Sequence, residues 1–302
     1  MQKILMFGAS GFLGSNLDYY LKNDFEVIGT RFHYKSDSTE YIVCDATNVV
    51  AIESIVDATK PDIIINCSGL ANVDNCEKRP EAAVILNSIS AADLAKLTKK
   101  KNIRFVHIST DHFESGDLTP RSETDKMWPI NQYGYSKLLA EDFVKEFNPD
   151  AIVIRTNFFG WGSPSKSLVA WLADSFETRP EVIGFTDVSF SPVSTEFLAK
   201  AIVALCSSEF RGLINVSSIE AITKFDFAKI VAHSLGKSSN SIKAGSIADS
   251  NLLTKRPNFL ALNNSVFRDL NVTSIPTIDQ MVDNMCRDNQ ARLRLNGHEK
   301  EF

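Results

Sequence analysis

A glycine-rich turn at the eighth residue constrains the fold of this chain more than any other feature. Its three glycines follow the apolar run 4–7 and open an amphipathic segment. A strand that passes through closely spaced glycines into a helix lets the backbone approach a pyrophosphate, which the free N–H groups of the helix then bind. The turn therefore predicts a dinucleotide-binding strand–helix–strand unit. The predicted binding residues of the turn are Gly8, Ser10, Gly11, Phe12, Leu13 and Gly14.

Short apolar runs alternate with amphipathic stretches over the first 155 residues, which is typical of a parallel sheet covered by helices on both faces. The predicted strands are 3–7, 26–30, 40–44, 62–67, 104–109 and 151–155. The predicted helices are 14–23, 49–59, 81–100 and 133–147. The predicted fold class is therefore α/β, a Rossmann-type doubly wound parallel sheet, which binds ligands at the carboxyl ends of its strands.

The alternation becomes less regular after residue 155, which predicts a smaller C-terminal substrate-binding lobe. The predicted elements are helices 167–176 and 195–205, strands 182–185 and 213–216, a helix capped by Thr223, and a helix from 278 with a charged end, 292–302. We assign 1–156 to a dinucleotide-binding domain and 157–302 mainly to the substrate lobe. Residues 187–216 are expected to pack back on the first domain.

Residues at the ends of the next strands are candidates for the rest of the dinucleotide. Arg31 stands where a carboxylate would bind a ribose diol, and a guanidinium there can pair with a 2′-phosphate, assisted by Lys35. Asp45 and Ala46 follow the third strand and are expected near the adenine. The fourth strand ends in the small residues Cys67, Ser68 and Gly69. We expect NADP(H) to be preferred, with NAD(H) also accepted.

Tyr133 and Lys137 are candidates for proton transfer. They are four residues apart on a predicted helix and project from one face, while Tyr135 points about 200° around. An ammonium beside a phenol favours phenolate, so we expect Lys137 to lower the pKa of Tyr133. Thr110 follows the fifth strand and is expected to face the same cleft.

Together these motifs resemble the extended short-chain dehydrogenase/reductase superfamily, and within it the dTDP-4-dehydrorhamnose reductase family of nucleotide-sugar reductases. The resemblance is carried by the glycine turn, Ser109-Thr110-Asp111 and Tyr133-x-x-x-Lys137. Further matching pieces are 60–67, 72–77, 123–125, Arg155-Thr156, Ser191-Pro192 and Arg256-Pro257.

The resemblance implies a catalytic triad of Thr110, Tyr133 and Lys137. In such a reductase NAD(P)H delivers hydride to the C4 ketone of a nucleotide-linked 4-keto-6-deoxysugar, while the tyrosine supplies the proton. The lysine also holds the nicotinamide ribose, and the threonine polarises the carbonyl. The family resemblance places this reaction in the synthesis of surface polysaccharide precursors.

The chain departs from the family on the sugar side of the cleft. The family usually has a tyrosine after the Ser-Thr-Asp run, where this chain has His112, and Ser-Trp after Arg-Thr, where it has Asn157-Phe158. The nucleotide and the sugar therefore stay open. The substrate candidates are Asp111, His112, Asn157, Phe158 and Trp161.

Two other functions remain open. A nucleotide-sugar epimerase or dehydratase uses the same triad and retains its cofactor, but dehydratases usually place an Asp-Glu pair after the catalytic threonine, where this chain has Asp111-His112. A non-catalytic, dinucleotide-binding regulatory subunit can share the fold, although the intact triad argues against it.

Composition narrows the remaining classes. A net charge of −5 gives no basic face for nucleic acid. Five scattered cysteines form no C-x-x-C pair, so neither a disulfide framework nor a metal site is expected. No apolar run approaches the roughly 20 residues that span a bilayer, and the N-terminus enters structure too early for a signal peptide. We therefore expect a cytoplasmic protein without a membrane partner, and leave a homodimer open.

Overall fold

A computed structural model of the chain describes residues 1–32, 41–114, 116–162 and 166–295, with side chains as far as Asp288. The predicted second cation, Lys35, lies outside the described residues, as do Glu40 of the predicted third strand and residues 296–302 of the charged end. No helix within the described ranges is both long and apolar enough to cross a membrane.

Seven parallel strands form the main sheet. They are β1 (Lys3–Phe7), β2 (Glu26–Arg31), β3 (Ile42–Val43), β4 (Ile63–Asn66), β5 (Arg104–Ile108), β6 (Ile152–Arg155) and β11 (Gly212–Asn215). Their order is β11-β6-β5-β4-β1-β2-β3, and each neighbouring pair is parallel. The chain reverses its direction of sheet growth between β1 and β4, which is the switch point where such sheets bind ligands. The predicted α/β fold class is confirmed.

Eleven helices accompany the strands in the part of the chain that is described. They are α1 (Phe12–Leu21), α2 (Val49–Thr59), α3 (Val73–Lys78), α4 (Pro80–Val84), α5 (Ser90–Lys101), α6 (Gln132–Phe147), α7 (Leu168–Thr178), α8 (Thr195–Cys206), α9 (Lys224–Ser234), α10 (Ser265–Asp269) and α11 (Ile278–Leu295). The cap predicted at Thr223 is confirmed, since its hydroxyl accepts from the Asp226 N–H at 3.0 Å.

The strands alternate their side chains between two apolar cores, because successive residues of a strand face opposite sides of the sheet. In β1, Leu5 and Phe7 face the core that also contains buried side chains of α2, α5 and α6. Ile4 and Met6 face the larger core, which contains α1 and α8 and extends to α11. Both faces of the sheet are therefore covered by helices.

Small sheets of very short strands complete the second half of the chain. β7 (Phe158–Phe159) pairs with β10 (Val193–Ser194), and β8 (Val182–Phe185) pairs with β13 (Ile242–Gly245). β9 (Ser189–Phe190) lies between β12 (Ile222–Thr223) and β14 (Phe259–Leu260). Sequence analysis missed β7, β9, β10, β12 and β14, because a strand of two residues carries no periodicity. It also missed the four-residue β13, in which a lysine and a glycine interrupt the apolar residues.

One predicted helix is interrupted. The segment expected as a single helix over 81–100 forms α4, then a π-helical turn at Ile85–Ile89, and then α5. An extra residue in one helical turn rotates the side chains that follow it, and such turns are frequent at functional sites. This π-helical turn lies beside the candidate site.

Candidate active site

The glycine turn between β1 and α1 forms the floor of the site. Gly8 has a φ of +80°, and a side chain there would come within 2.8 Å of the Ser68 backbone nitrogen. A side chain at Gly14 would come within 2.2 Å of the Gly8 carbonyl oxygen. Both positions need glycine because the turn, the start of α1 and the end of β4 are in direct backbone contact.

A cavity of about 840 Å³ opens above this turn, at the carboxyl ends of β1, β4 and β5. Gly11, the N-cap of α1, lines the cavity, and a Cβ there would meet only the Gly8 carbonyl oxygen within 4 Å, at 3.1 Å. The helix start thus presents free N–H groups to open space, which fits the diphosphate of a dinucleotide. The other lining residues include Phe12, Leu13, Cys67, Ser68, Gly69, Tyr133, Lys137 and Phe158.

The remaining dinucleotide candidates lie along the same sheet edge. Ser10 is exposed in the turn, and Arg31 is the half-buried last residue of β2. Asp45 follows β3, and its Oδ1 accepts from the Thr47 N–H and hydroxyl at 2.9 and 2.7 Å. Ala46 packs against the core formed with α2. The structure therefore brings these residues to one edge, at which Asp45 fixes the start of its own loop.

Tyr133 and Lys137 both line the cavity, whereas Tyr135 between them is 48% exposed. This confirms the predicted common face. Thr110 follows β5, and its oxygen accepts from the His112 N–H at 3.2 Å. The Thr110 side chain is close enough to the phenol of Tyr133 to lower its pKa by hydrogen bonding. Tyr133 and Lys137 therefore lie at the wall of one cavity, and Thr110 lies next to Tyr133.

The protonation of Tyr133 differs from the sequence prediction. Burial raises the pKa of Tyr133 to about 12, although the hydrogen bond with Thr110 lowers it. The expectation that the lysine lowers this pKa was wrong, because the cost of burying a phenolate dominates. The Lys137 Nζ instead donates to the Ile108 carbonyl oxygen at 2.6 Å. At neutral pH Tyr133 is therefore a phenol, the form that can give a proton.

Asn131, which sequence analysis missed, fixes the start of α6 two residues before Tyr133. Its Oδ1 accepts from the Gly134 N–H at 2.9 Å, and its Nδ2 donates to the Lys255 carbonyl oxygen and His112 Nε2. An asparagine at this offset from a helix start is an N-cap signal that the sequence contains.

His112 supports Tyr133 from the side. Burial, with the charges of Arg256 and Lys224, lowers the pKa of His112 to about 4, so its ring is neutral and accepts from Asn131 at 2.9 Å. The ring contacts Tyr133 edge to face, with centroids 5.4 Å apart. His112 therefore contacts the phenol ring and does not line the described cavity.

A buried polar group lies next to Thr110 in the sequence. Asp111 is 5% exposed, and its Oδ2 accepts from the Asn157 amide at 2.8 Å. Burial raises the pKa of Asp111, opposed by that hydrogen bond and by Lys224, and burial lowers the pKa of Lys224. Lys224, missed by sequence analysis, lies with its Nζ 3.2 Å from the centre of the Phe190 ring. The two substrate candidates Asp111 and Asn157 are thus in direct contact.

The two aromatic candidates have different positions. Phe158 lines the cavity, with its ring 5.8 Å from that of Phe12. Trp161 packs on the larger core, and its indole N–H donates to the Met285 carbonyl oxygen at 3.1 Å. The structure does not bring Trp161 to the described cavity wall, because this hydrogen bond holds its ring against α11.

Several residues that line the cavity carry no catalytic signature in sequence. Asn87 lies in the π-helical turn, where its Oδ1 accepts from the Leu70 N–H at 2.7 Å and its Nδ2 donates to Ser136 Oγ at 2.8 Å. Lys166 and Arg256 add positive charge to the rim. Arg256 belongs to a matched family piece, but its position facing the cleft depends on tertiary structure.

Comparisons with known proteins agree with this geometry. A family model described as the RmlD substrate binding domain matches residues 1–291. The chain is 29% identical over 257 residues to the probable low-salt glycan biosynthesis reductase Agl14 of Haloferax volcanii, covering 83% of this chain and 86% of that protein. It is 29% identical over 235 residues to dTDP-4-dehydrorhamnose reductase of Escherichia coli, covering 76% of each.

Among solved structures, the chain is similar to a dTDP-4-dehydrorhamnose reductase from Clostridium acetobutylicum. The TM-score is 0.86 at 26% identity, covering 96% of this chain and 100% of that one. The similarity therefore extends over both halves of the chain.

Proposed function

The chain belongs to the RmlD substrate binding domain family, and we propose that it reduces the C4 ketone of a nucleotide-linked 4-keto-6-deoxysugar. Membership confirms the resemblance found in the sequence motifs, and relatives are named as a glycan biosynthesis reductase and a dTDP-4-dehydrorhamnose reductase. The chain is an NAD(P)-dependent oxidoreductase that acts on a nucleotide sugar. The finer assignments below are the proposal.

The arrangement that carries the proposal is the meeting of Thr110, Tyr133 and Lys137 beside the glycine turn. The turn can hold a diphosphate on one side of the cavity, and the phenol lies on the other. When bound, a reduced nicotinamide supplies the hydride that the protein itself lacks. The work left to the chain is to hold the ketone and deliver a proton.

Tyr133 gives that proton. Its raised pKa keeps it as a phenol at neutral pH, so its O–H bond breaks as the sugar hydroxyl forms. When the sugar is bound, the Thr110 hydroxyl can donate its one hydrogen to the same ketone oxygen. Lys137 holds positive charge near the phenolate that remains and orients the nicotinamide ribose. A cation at this position stabilises the charge that develops on Tyr133.

NADP(H) is the preferred cofactor in this proposal, because Arg31 ends β2 where the adenosine ribose binds in such sheets. A guanidinium pairs with a 2′-phosphate by charge-assisted hydrogen bonds. Residues 1–156 carry the dinucleotide, and residues 157–302 mainly carry the nucleotide sugar. We assign the sugar-facing contacts to Asp111, Asn157 and Phe158, with His112 acting through Tyr133.

The proposal is tested by incubating the protein with a panel of nucleotide 4-keto-6-deoxysugars and either NADPH or NADH. We expect the absorbance of the reduced nicotinamide to fall only when one of these sugars is present. A product sugar that is an isomer of the substrate, formed with no net loss of reduced cofactor, would instead indicate an epimerase. Tight dinucleotide binding without turnover of any sugar would indicate a regulatory subunit.

A further inference from the structure

A chain of buried polar side chains lies behind Lys137, between the ends of β4 and β5. It runs from Asn66 through His107 to the lysine, and these residues are 1%, 0% and 6% exposed. His107 Nδ1 lies 3.2 Å from Asn66 Nδ2, and His107 Nε2 lies 3.4 Å from Lys137 Nζ. Buried polar groups are costly unless partnered, so the position of each proton in this chain matters.

The orientation of the Asn66 amide follows from its other contacts. Asn66 Oδ1 faces the Ser68 backbone N–H at 3.1 Å and the Ser68 hydroxyl at 2.6 Å. A backbone N–H can only donate, so the amide atom that faces it must be the oxygen. Asn66 Nδ2 therefore faces His107 and donates to Nδ1.

The tautomer of His107 follows in turn. Burial, with the charge of Lys137, holds the pKa of His107 well below its ordinary value, so the imidazole is neutral. A neutral ring carries one proton, and Nδ1 is already an acceptor. The proton therefore lies on Nε2, the nitrogen that faces Lys137.

This N–H meets the two forms of Lys137 differently. An ammonium has only donors, so a ring N–H pointing at it opposes the charged form, whereas an amine has a lone pair that accepts the N–H. The Lys137 Nζ still donates to the Ile108 carbonyl oxygen at 2.6 Å in either form. The contact with His107 thus favours the lysine that has released one proton.

We propose that His107 is a positioning residue. Oriented by Asn66, its ring N–H favours the neutral amine form of Lys137 over the ammonium. The inference deepens the proposed function and rests on it, because the charge of this lysine matters when it works beside Tyr133. It assigns a role to a residue outside the triad, in the sheet layer behind the cavity. The enzyme is then expected to lose kcat/KM as pH rises through the titration of Lys137.

The other titratable and charged groups around Lys137 come from three elements. Burial lowers the pKa of the lysine to about 8, while Glu141, one turn further along α6, favours the ammonium. Cys67, after β4, would favour it only as a thiolate, and burial raises the pKa of that thiol to about 12. Glu141 is also bound by Arg155 of β6 at 2.6 Å. The Glu141 carboxylate therefore interacts with both Arg155 and Lys137. The ring N–H of His107 and burial both disfavour the charged form of Lys137.

The tautomer is tested directly by long-range ¹H–¹⁵N spectra of the protein labelled with ¹⁵N-histidine. His107→Gln assigns the signals, since the variant lacks them. We expect a neutral ring protonated at Nε2 between about pH 6 and about pH 9. A ring protonated at Nδ1, or an imidazolium in this range, overturns the proposal.

Asn66→Asp tests the consequence for Lys137, followed through the ¹³Cε shift of labelled lysine. The new carboxylate can still accept from the Ser68 N–H, but its second oxygen requires a proton on His107 Nδ1. The tautomer is expected to flip, and the midpoint of the Lys137 titration to rise by about one pH unit or more. A raised midpoint without a flip would assign the effect to the new charge alone and contradict the proposal.

Ser68→Ala is the matched control, because it keeps the backbone N–H that orients Asn66 and removes only the hydroxyl. We expect the His107 tautomer and the Lys137 midpoint to stay as in the wild type, and a flip in this variant would overturn the argument from orientation. None of these readouts needs turnover. An Nε2–H ring in a protein that reduces no sugar would refute the proposed function and leave the proton assignment standing.

Discussion

The proposed dinucleotide side and the proposed sugar side of the cleft are built from different kinds of sequence. On the dinucleotide side, one contiguous stretch, 8–14, forms the binding turn between a five-residue strand and a ten-residue helix. On the sugar side, Asp111 meets Asn157 across 46 positions, next to strands of two residues. Local sequence therefore encodes the first surface, whereas tertiary contacts encode the second.

Tyr133 lies where the two sides meet, and its removal is expected to have the largest effect. Tyr133→Phe removes the phenolic hydroxyl and keeps the ring against His112, so kcat should fall by about 10²- to 10⁴-fold while NADPH still binds. Steady-state kinetics and calorimetry measure the two quantities. Tyr135→Phe is the matched control and should behave as wild type, since that ring is 48% exposed. Wild-type kcat in Tyr133→Phe would remove this residue from the mechanism.

Gly11→Val tests the glycine turn, 8–14. Gly11 lines the cavity, so a branched side chain there should occupy the space of the diphosphate and weaken NADPH binding by about a hundredfold or more. Calorimetry measures the affinity, and thermal unfolding shows whether the fold is kept. A folded variant with unchanged affinity would separate the glycine turn from dinucleotide binding.

Arg31→Asp tests whether the dinucleotide side also sets cofactor choice. A charge-assisted pair with a 2′-phosphate is worth about 1.5–3 kcal/mol, so kcat/KM for NADPH should fall by about ten- to a hundredfold, with NADH similar or improved. Arg211→Asp, which changes an exposed arginine elsewhere, controls for net charge. An equal fall of kcat/KM with both cofactors, or a wild type that prefers NADH, would mean that Arg31 does not bind the 2′-phosphate.

Phe158→Ala tests the proposed sugar side of the cleft and should have the smallest effect on the kinetic constants. Removing a ring that lines the cavity should raise the KM for the nucleotide sugar about tenfold, equivalent to about 1.4 kcal/mol, and leave the KM for NADPH nearly unchanged. Trp161→Phe is its counterpart, expected to keep both KM values and to lose about 1 kcal/mol of unfolding free energy with the hydrogen bond to Met285. The reverse pattern would exchange the roles of the two aromatic residues.

The same contrast explains how much the sequence could predict. The strands 3–7 and 182–185 form short apolar runs in the sequence and were predicted to the residue. Tyr133 and Lys137 could be placed on one face because a helix of 16 residues fixes their spacing. Trp161 could not be placed, since its contact with Met285 joins positions 124 apart. The pKa of Tyr133 was also beyond reach, because it depends on burial by residues distant in sequence.

Transfer of hydride from the cofactor to sugar C4 is the central claim, and isotope labelling tests it most directly. The protein is incubated with a nucleotide 4-keto-6-deoxysugar and NADPH that carries deuterium at both positions of the nicotinamide C4, and the product is analysed by NMR and mass spectrometry. The account predicts one deuterium on C4 of the sugar for each cofactor oxidised. Product sugar without deuterium, formed while the reduced cofactor stays intact, would contradict it.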